Sequence, residues 1–187
     1  ALGVLPDVSL AVTMDAKECG DALYLVGLTR CELGESYLHR HLRLEGGAVP
    51  QPSPEGPALA LALHGAIRRG LVRACHDLSE GGLAVAAAEM ALAGEVGLHL
   101  DLRCVPRHGG VDQDLAILFA ESNARYLVEV RPEDEPAFVE ALAGLACARV
   151  GQVECIPHLV VTGLDGHEAI NLPVRSLRRA WKGEGRA

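Results

Sequence analysis

Short β-prone apolar runs alternate along most of the chain with Ala- and Leu-rich stretches, and glycine or proline marks most of the boundaries. That alternation is the strongest constraint on the fold. A run such as A-L-Y-L-V-G-L at residues 22–28 is too short for a stable helix, and it carries the apolar content of a strand buried on both faces. The stretches at 58–69 and 83–93 are long enough for helices and are rich in the best helix formers. Elements that switch period in this way pack as layers of helix on sheet. The reading is therefore one α/β (α+β) domain, a mixed β-sheet covered by helices. A length of 187 residues suits a single core of this kind. A chain of that size hides about 70% of its unfolded surface and needs no disulfide or metal to hold together.

The helix boundaries follow ordinary punctuation. Pro57 opens the stretch 58–69, Arg68 and Arg69 close it, and Gly70 follows. Gly94 ends the helix read at 83–93. Pro132 with Glu133, Asp134 and Glu135 opens a helix read at 132–145. Shorter helices are read within 30–44 and at 113–120, and a last one at 173–181. Strands are expected at 22–28, 71–75, 97–102, 126–130, 148–153 and 159–162. Asp165-Gly166 supplies a hairpin turn between 159–162 and 168–171. Residues 46–56 hold Gly46-Gly47 and three prolines and read as a loop.

Composition excludes several classes of function. Aromatic residues are 3% of the chain against 49% hydrophobic, so the core is aliphatic. The formal net charge of −8 argues against a nucleic-acid surface, which needs Lys and Arg to meet phosphates. The longest uncharged run, residues 56–67, is too short for a membrane span and contains Pro57 and His64. Six cysteines are present, none in a C-x-x-C pair and none at zinc-finger spacing. With no signal peptide visible, they are expected to be free, mostly buried thiols in a reducing cytoplasm. No metal-ligand pattern and no catalytic nucleophile motif is present, so no catalytic residue is assigned.

Two local features can carry chemistry. The first is Cys75-His76-Asp77-Leu78-Ser79-Glu80-Gly81-Gly82, between a strand and a helix. Two glycines at a helix start let a ligand approach the backbone, and the free N–H groups there attract anions. Ser79 is the expected cap of that helix, and Asp77 is placed to bond the loop backbone. The alternative is a capped helix behind a Gly-Gly turn. The second feature is Glu121-Ser122-Asn123-Ala124-Arg125, just before a strand. It reads either as an ordinary polar turn or as the rim of a phosphate or polar-substrate pocket with Arg125 as its cation. The candidate phosphate- or substrate-binding residues are thus His76, Asp77, Ser79, Gly81, Gly82, Glu121, Ser122, Asn123 and Arg125. The Gly81 and Gly82 amides are expected to lie close to solvent.

These motifs occur within an ordered set of segments. GVLPDVSLAVTMDAKECGDALYLVG (3–27), CELGESYL (31–38), LVRACHDLSEGGLAVAAAEMALAGEVGLHLDL (71–102), LFAESNARYLVEV (118–130) and RVGQVE (149–154) together resemble the C-terminal part of the phosphoribosylformylglycinamidine synthase family. The D-L-S-x-G-G element also recurs in the wider superfamily of aminoimidazole ribonucleotide synthetase, thiamine monophosphate kinase, selenophosphate synthetase and hydrogenase maturation proteins. The resemblance implies part of an ATP-dependent ligase. Such an enzyme converts formylglycinamide ribonucleotide, ATP and ammonia to formylglycinamidine ribonucleotide, ADP and phosphate. It implies ATP and Mg²⁺ in the full-length enzyme, no cofactor on this fragment, and no activity of the fragment alone. The alternative is a stand-alone phosphate- or nucleotide-binding or structural module of the same superfamily.

The implied organisation follows from the same resemblance. Residues 1–21 read as a segment continuing from a missing ATP-binding domain, 22–182 as the C-terminal flanking domain, and 183–187 as a tail. The implied partners are the missing ATP-binding and flanking domains and a glutaminase subunit or domain that supplies ammonia. No nucleic acid or membrane is implied, and self-association through exposed apolar surface near the N-terminal segment is possible. In the family's first flanking domain the turn corresponding to 121–123 reads Glu-Ser-Gln. Asn123 stands here in place of the Gln, which implies a degenerate second site.

Overall fold

In the computed structural model, which describes residues 4–5 and 7–184, β1 (Ala22–Val26) is buried at every position. Its side chains alternate between two cores. Leu23 and Leu25 face one apolar cluster, and Ala22, Tyr24 and Val26 face the other. That placement explains why the run is apolar throughout and not alternating. The other strands are β2 (Ala74–Asp77), β3 (Gly97–Asp101), β4 (Tyr126–Val130), β5 (Cys147–Glu154), β6 (His158–Thr162) and β7 (Glu168–Pro173). They form a seven-stranded mixed sheet in the order β2-β4-β1-β5-β3-β6-β7. β3 and β6 run parallel, and the other neighbours pair antiparallel.

The helices are α1 (Tyr37–Leu42), α2 (Gly56–Arg68), α3 (Gly82–Gly94), α4 (Asp114–Phe119), α5 (Glu135–Ala141) and α6 (Val174–Trp181). α3 carries apolar residues on nearly every face and lies deep, in contact with α4, α6 and the sheet. The second core, on the other side of the sheet, takes Leu59 and Leu63 from α2 and Phe138 from α5. There Phe138 meets Tyr24 edge to face at 5.1 Å.

Two elements differ most from the sequence reading. β2 begins at Ala74 and continues to Asp77, because its ladder with β4 runs from Ala74↔Glu129 to Asp77↔Tyr126. Leu71 and Val72 are instead buried in the second core. The helix read at 132–145 is a 3-10 turn at Pro132–Asp134 followed by a shorter α5. Residues 183–184 of the expected tail are exposed, and the remainder of that tail lies outside the described residues.

Residues 13–21 form a strap across one end of the domain. Thr13 O accepts from Cys75 N at 3.2 Å, and Ala16 N donates to Met90 O at 3.1 Å. Gly20 N donates to Val153 O, and Val153 N to Asp21 O, both at 2.9 Å. These last two bonds bring Cys19 beside Cys155, and the two form a disulfide with Cα atoms 5.2 Å apart. The expectation of six free thiols is therefore corrected. Their separation of 136 residues hid the pair from any spacing argument. The expectation of mostly buried thiols is corrected too, since Cys31 and Cys104 are exposed while Cys75 and Cys147 are half-buried. Further along the chain toward its start, Val4 and Val8 are exposed, as expected of the N-terminal segment.

Glu129 of β4 lies fully buried beneath the strap and accepts from Lys17 N at 2.9 Å and Glu18 N at 3.1 Å. Burial outweighs those two bonds, and with Asp21 alongside it pushes the carboxyl up to about 7. A carboxyl raised on folding stabilises the fold below its unfolded value, and that contribution disappears as pH rises through about 7. Glu129→Gln keeps an acceptor for the strap and gives Asp21 a donor. Urea midpoints from pH 5 to 8 are expected to fall less with pH in the variant than in the parent. Parallel curves would show that Glu129 does not titrate in this range.

Candidate functional site

The turn from β2 into α3 brings the two sequence motifs together. Gly81 and Gly82 adopt φ of +81° and +61°, a region that L side chains rarely enter. Both are buried, and a Cβ at Gly82 would lie 2.5 Å from Ala120 O. Their amides are already bonded. Gly82 N donates to Ser79 O at 3.1 Å, and Gly81 N to Glu121 Oε1 at 2.9 Å. The expectation that these amides face solvent is thus corrected: the glycines permit close packing of the turn against the end of α4. The helix cap is corrected as well. Gly81 occupies the cap position, and Ser79 Oγ instead donates to Asp77 Oδ2 at 3.1 Å.

Glu121 supplies the negative charge that a helix start favours. The same Oε1 accepts from Tyr37 N at 2.7 Å, so one carboxylate joins the first turns of α1 and α3. Around it the chain is stitched by further long-range bonds. Glu121 N donates to Glu32 O at 3.2 Å, and buried Glu32 accepts from Gln51 N at 3.2 Å. Asn123 Nδ2 donates to Gln51 O at 3.0 Å, which fastens the proline-rich loop. Ser122 is buried and exchanges bonds with the Arg30 backbone, accepting from its N at 3.0 Å.

Arg125 is not the exposed cation that the sequence suggested. It is 1% exposed, and its guanidinium donates to Ser122 O at 3.0 Å, Thr29 Oγ1 at 3.1 Å and Ala120 O. Burial draws its pKa down to about 10, with Glu32 and Glu121 opposing that shift, so the group stays charged at neutral pH. His76 also turns away. Its Nε2 sits 2.8 Å from Glu89 Oε2 on α3, and its Nδ1 is 3.6 Å from Asp77 Oδ1.

What remains open is a cleft of about 380 Å³ lined by Asp77, Ser79, Glu80, Glu121, Asn123 and Tyr126, among others. Glu80 and Tyr126 were not singled out in the sequence, because neither has a local motif role. The cleft presents carboxylates and hydroxyls, and the one cation against it among the described residues, Arg125, spends its donors inside. Its side-chain chemistry suits hydrogen-bond donors and positive charge. Among the described residues no group of three or more His, Cys, Asp or Glu is placed to hold a metal ion. No helix there is long and apolar enough to cross a membrane.

Comparison with known proteins places this arrangement. The family described as "AIR synthase related protein, C-terminal domain" matches residues 18–163. The chain is 33% identical over 187 residues to phosphoribosylformylglycinamidine synthase subunit PurL of Lactobacillus helveticus, covering 97% of this chain and 23% of that protein. It is 42% identical over 150 residues to the same-named subunit of Thermococcus gammatolerans, covering 80% of this chain and 19% of that protein. The chain therefore spans about a fifth to a quarter of the length of these curated relatives. Among solved structures, Thermotoga maritima PurL complexed with FGAR matches with a TM-score of 0.78 at 23% identity, covering 90% of this chain and 29% of that one. A hydrogenase maturation protein HypE in complex with ATP shares the fold with a TM-score of 0.63 at 17% identity, covering 88% of this chain and 53% of that one.

Proposed function

The chain belongs to the AIR synthase related protein C-terminal domain family, and from that premise we propose that it serves as the C-terminal flanking domain of a phosphoribosylformylglycinamidine synthase. In that reading the whole enzyme is an ATP- and Mg²⁺-dependent carbon–nitrogen ligase of purine biosynthesis. The formylglycinamide oxygen takes the terminal phosphoryl group of ATP, releasing ADP. Ammonia, delivered from glutamine by a partner subunit or domain, then adds at the amide carbon, and phosphate leaves. Acceleration of this kind comes from positioning and charge neutralisation. ATP and Mg²⁺ are assigned to the rest of that enzyme, because among the described residues no group of three or more His, Cys, Asp or Glu is placed to hold a metal ion and the guanidinium beside this cleft is turned inward.

The contribution of this domain is structural. The observation that carries the reading is Glu121, whose carboxylate occupies the α3 start where a ligand phosphate would bind. Together with the inward guanidinium of Arg125, it makes the second site self-filled. The acidic rim of Asp77 and Glu80 and the exposed Asn123 are left to meet donors of a neighbouring domain. The test is a chimera in which this chain replaces the matching quarter of the L. helveticus subunit. Ammonia-dependent synthesis of formylglycinamidine ribonucleotide is expected from the chimera and not from the chain alone. Turnover by the isolated chain, or a folded but inactive chimera, would overturn the reading.

A further inference from the structure

The C-terminal helix α6 carries a surface that neither the family match nor the cleft explains. Val174, Leu177 and Trp181 follow one another at i, i+3 and i+7, which is one face of a helix. Val174 is buried and Leu177 packs on the core, but Trp181 is 69% exposed. The core-facing stripe thus runs past the edge of the domain and ends on the only tryptophan in the chain. Beside the stripe lie Arg175, Arg178, Arg179 and Lys182, contiguous around the helix. With Pro157 and Glu95 they line a groove of about 390 Å³, and Glu184 stands at the same groove.

Only one of these cations has an evident internal role. Arg178 bonds Leu92 O at 3.0 Å and Glu95 Oε1 at 2.8 Å, fixing α6 to the end of α3. Among the described residues Arg175, Arg179 and Lys182 make no ion pair. Complementing the helix dipole accounts for cations in the last turn, but not for Arg175, which sits in the first turn where positive charge is unfavourable. A concentrated basic flank on a chain of net charge −8 is also unlike its surroundings.

We propose that the α6 groove docks an acidic polypeptide segment, with an apolar side chain packed on Trp181 and carboxylates along Arg175, Arg179 and Lys182. Trp and Arg are the residue types that most often anchor protein interfaces. The basic flank is matched by carboxylates, and the apolar face of Trp181 beside it is matched by an apolar side chain of the same segment. The surface is distinct from the cleft at the α3 start, so it stands or falls independently of the function proposed above.

Trp181 is its own reporter. Titration of the folded chain with poly-L-glutamate at low salt is expected to shift its emission to the blue, and added salt is expected to reverse the shift. The double substitution Arg175→Glu/Arg179→Glu, with unchanged circular dichroism, is expected to weaken binding by about tenfold or more. If that variant misfolds, Arg179→Gln serves with the same expected direction. No emission change, or a change that charge reversal leaves intact, would overturn the proposal. So would tighter binding of an oligothymidylate than of poly-L-glutamate. Sedimentation showing a dimer that the double substitution dissociates would assign the groove to a second copy instead, and would equally refute it.

Discussion

Arg125→Ala is expected to lower stability by about 3–5 kcal/mol, the range for stripping a hydrogen-bonded charged group from a buried network. The side chain is among the largest that are fully buried, and its removal leaves a cavity. It also leaves Ser122 O, Thr29 Oγ1 and Ala120 O without their donor. The discarded cost of burying a cation offsets part of this loss, which is why the figure is not larger. For a chain of this size each kcal/mol moves Tm by about 2–4 °C, so the expected drop is about 6–20 °C. Arg125→Lys is expected to recover little, because a compact ammonium cannot fork to acceptors on three sides. Differential scanning calorimetry decides it. A Tm within about 2 °C of the parent would mean that the guanidinium is not what fixes the turn at 120–125 to Thr29.

Reducing the Cys19–Cys155 bond is expected to destabilise the chain by about 2–4 kcal/mol without unfolding it. The bond closes a loop of 136 residues in sequence, so it removes much freedom from the unfolded chain. The native strap has independent holds at Met90, Val153 and Glu129, which keep it in place after reduction. Both cysteines are exposed, so a dithiol reagent reaches them directly. Thiol titration of the unreduced, denatured protein should find four groups, those of Cys31, Cys75, Cys104 and Cys147. After reduction the count should be six, with Tm lower by about 4–16 °C. Six thiols before reduction would refute the pairing.

Local order was legible in the residues. The strand Tyr126–Val130 falls where alternation between turn and apolar run places it, and β1, α3 and the β6–β7 hairpin lie within a few positions of their sequence marks. Period, proline and glycine placement and helix-forming content act over a few residues, and that range is enough to set an element's type. The family was legible for a different reason, since ordered motifs over most of the chain carry more information than any one of them. The order of the strands in the sheet was beyond such reasoning, because nothing local says that β5 lies between β1 and β3.

The candidate site divides along the same line. Its residues were identifiable, since Asp77, Ser79, Glu121 and Asn123 do meet at one cleft. Their roles were not, because a side chain's role is set by what the fold places opposite it. Glu121 finds Gly81 across 40 residues and Tyr37 across 84, and Asn123 finds Gln51 across 72. Arg125 reaches Thr29 across 96. The sequence by itself determined a glycine-rich helix start and, 40 residues further on, a polar turn that carries a cation. Only the tertiary structure decided that the chain's own carboxylate fills that start and that the cation points inward, because both outcomes depend on partners far apart in sequence and, for Arg125, on burial away from water.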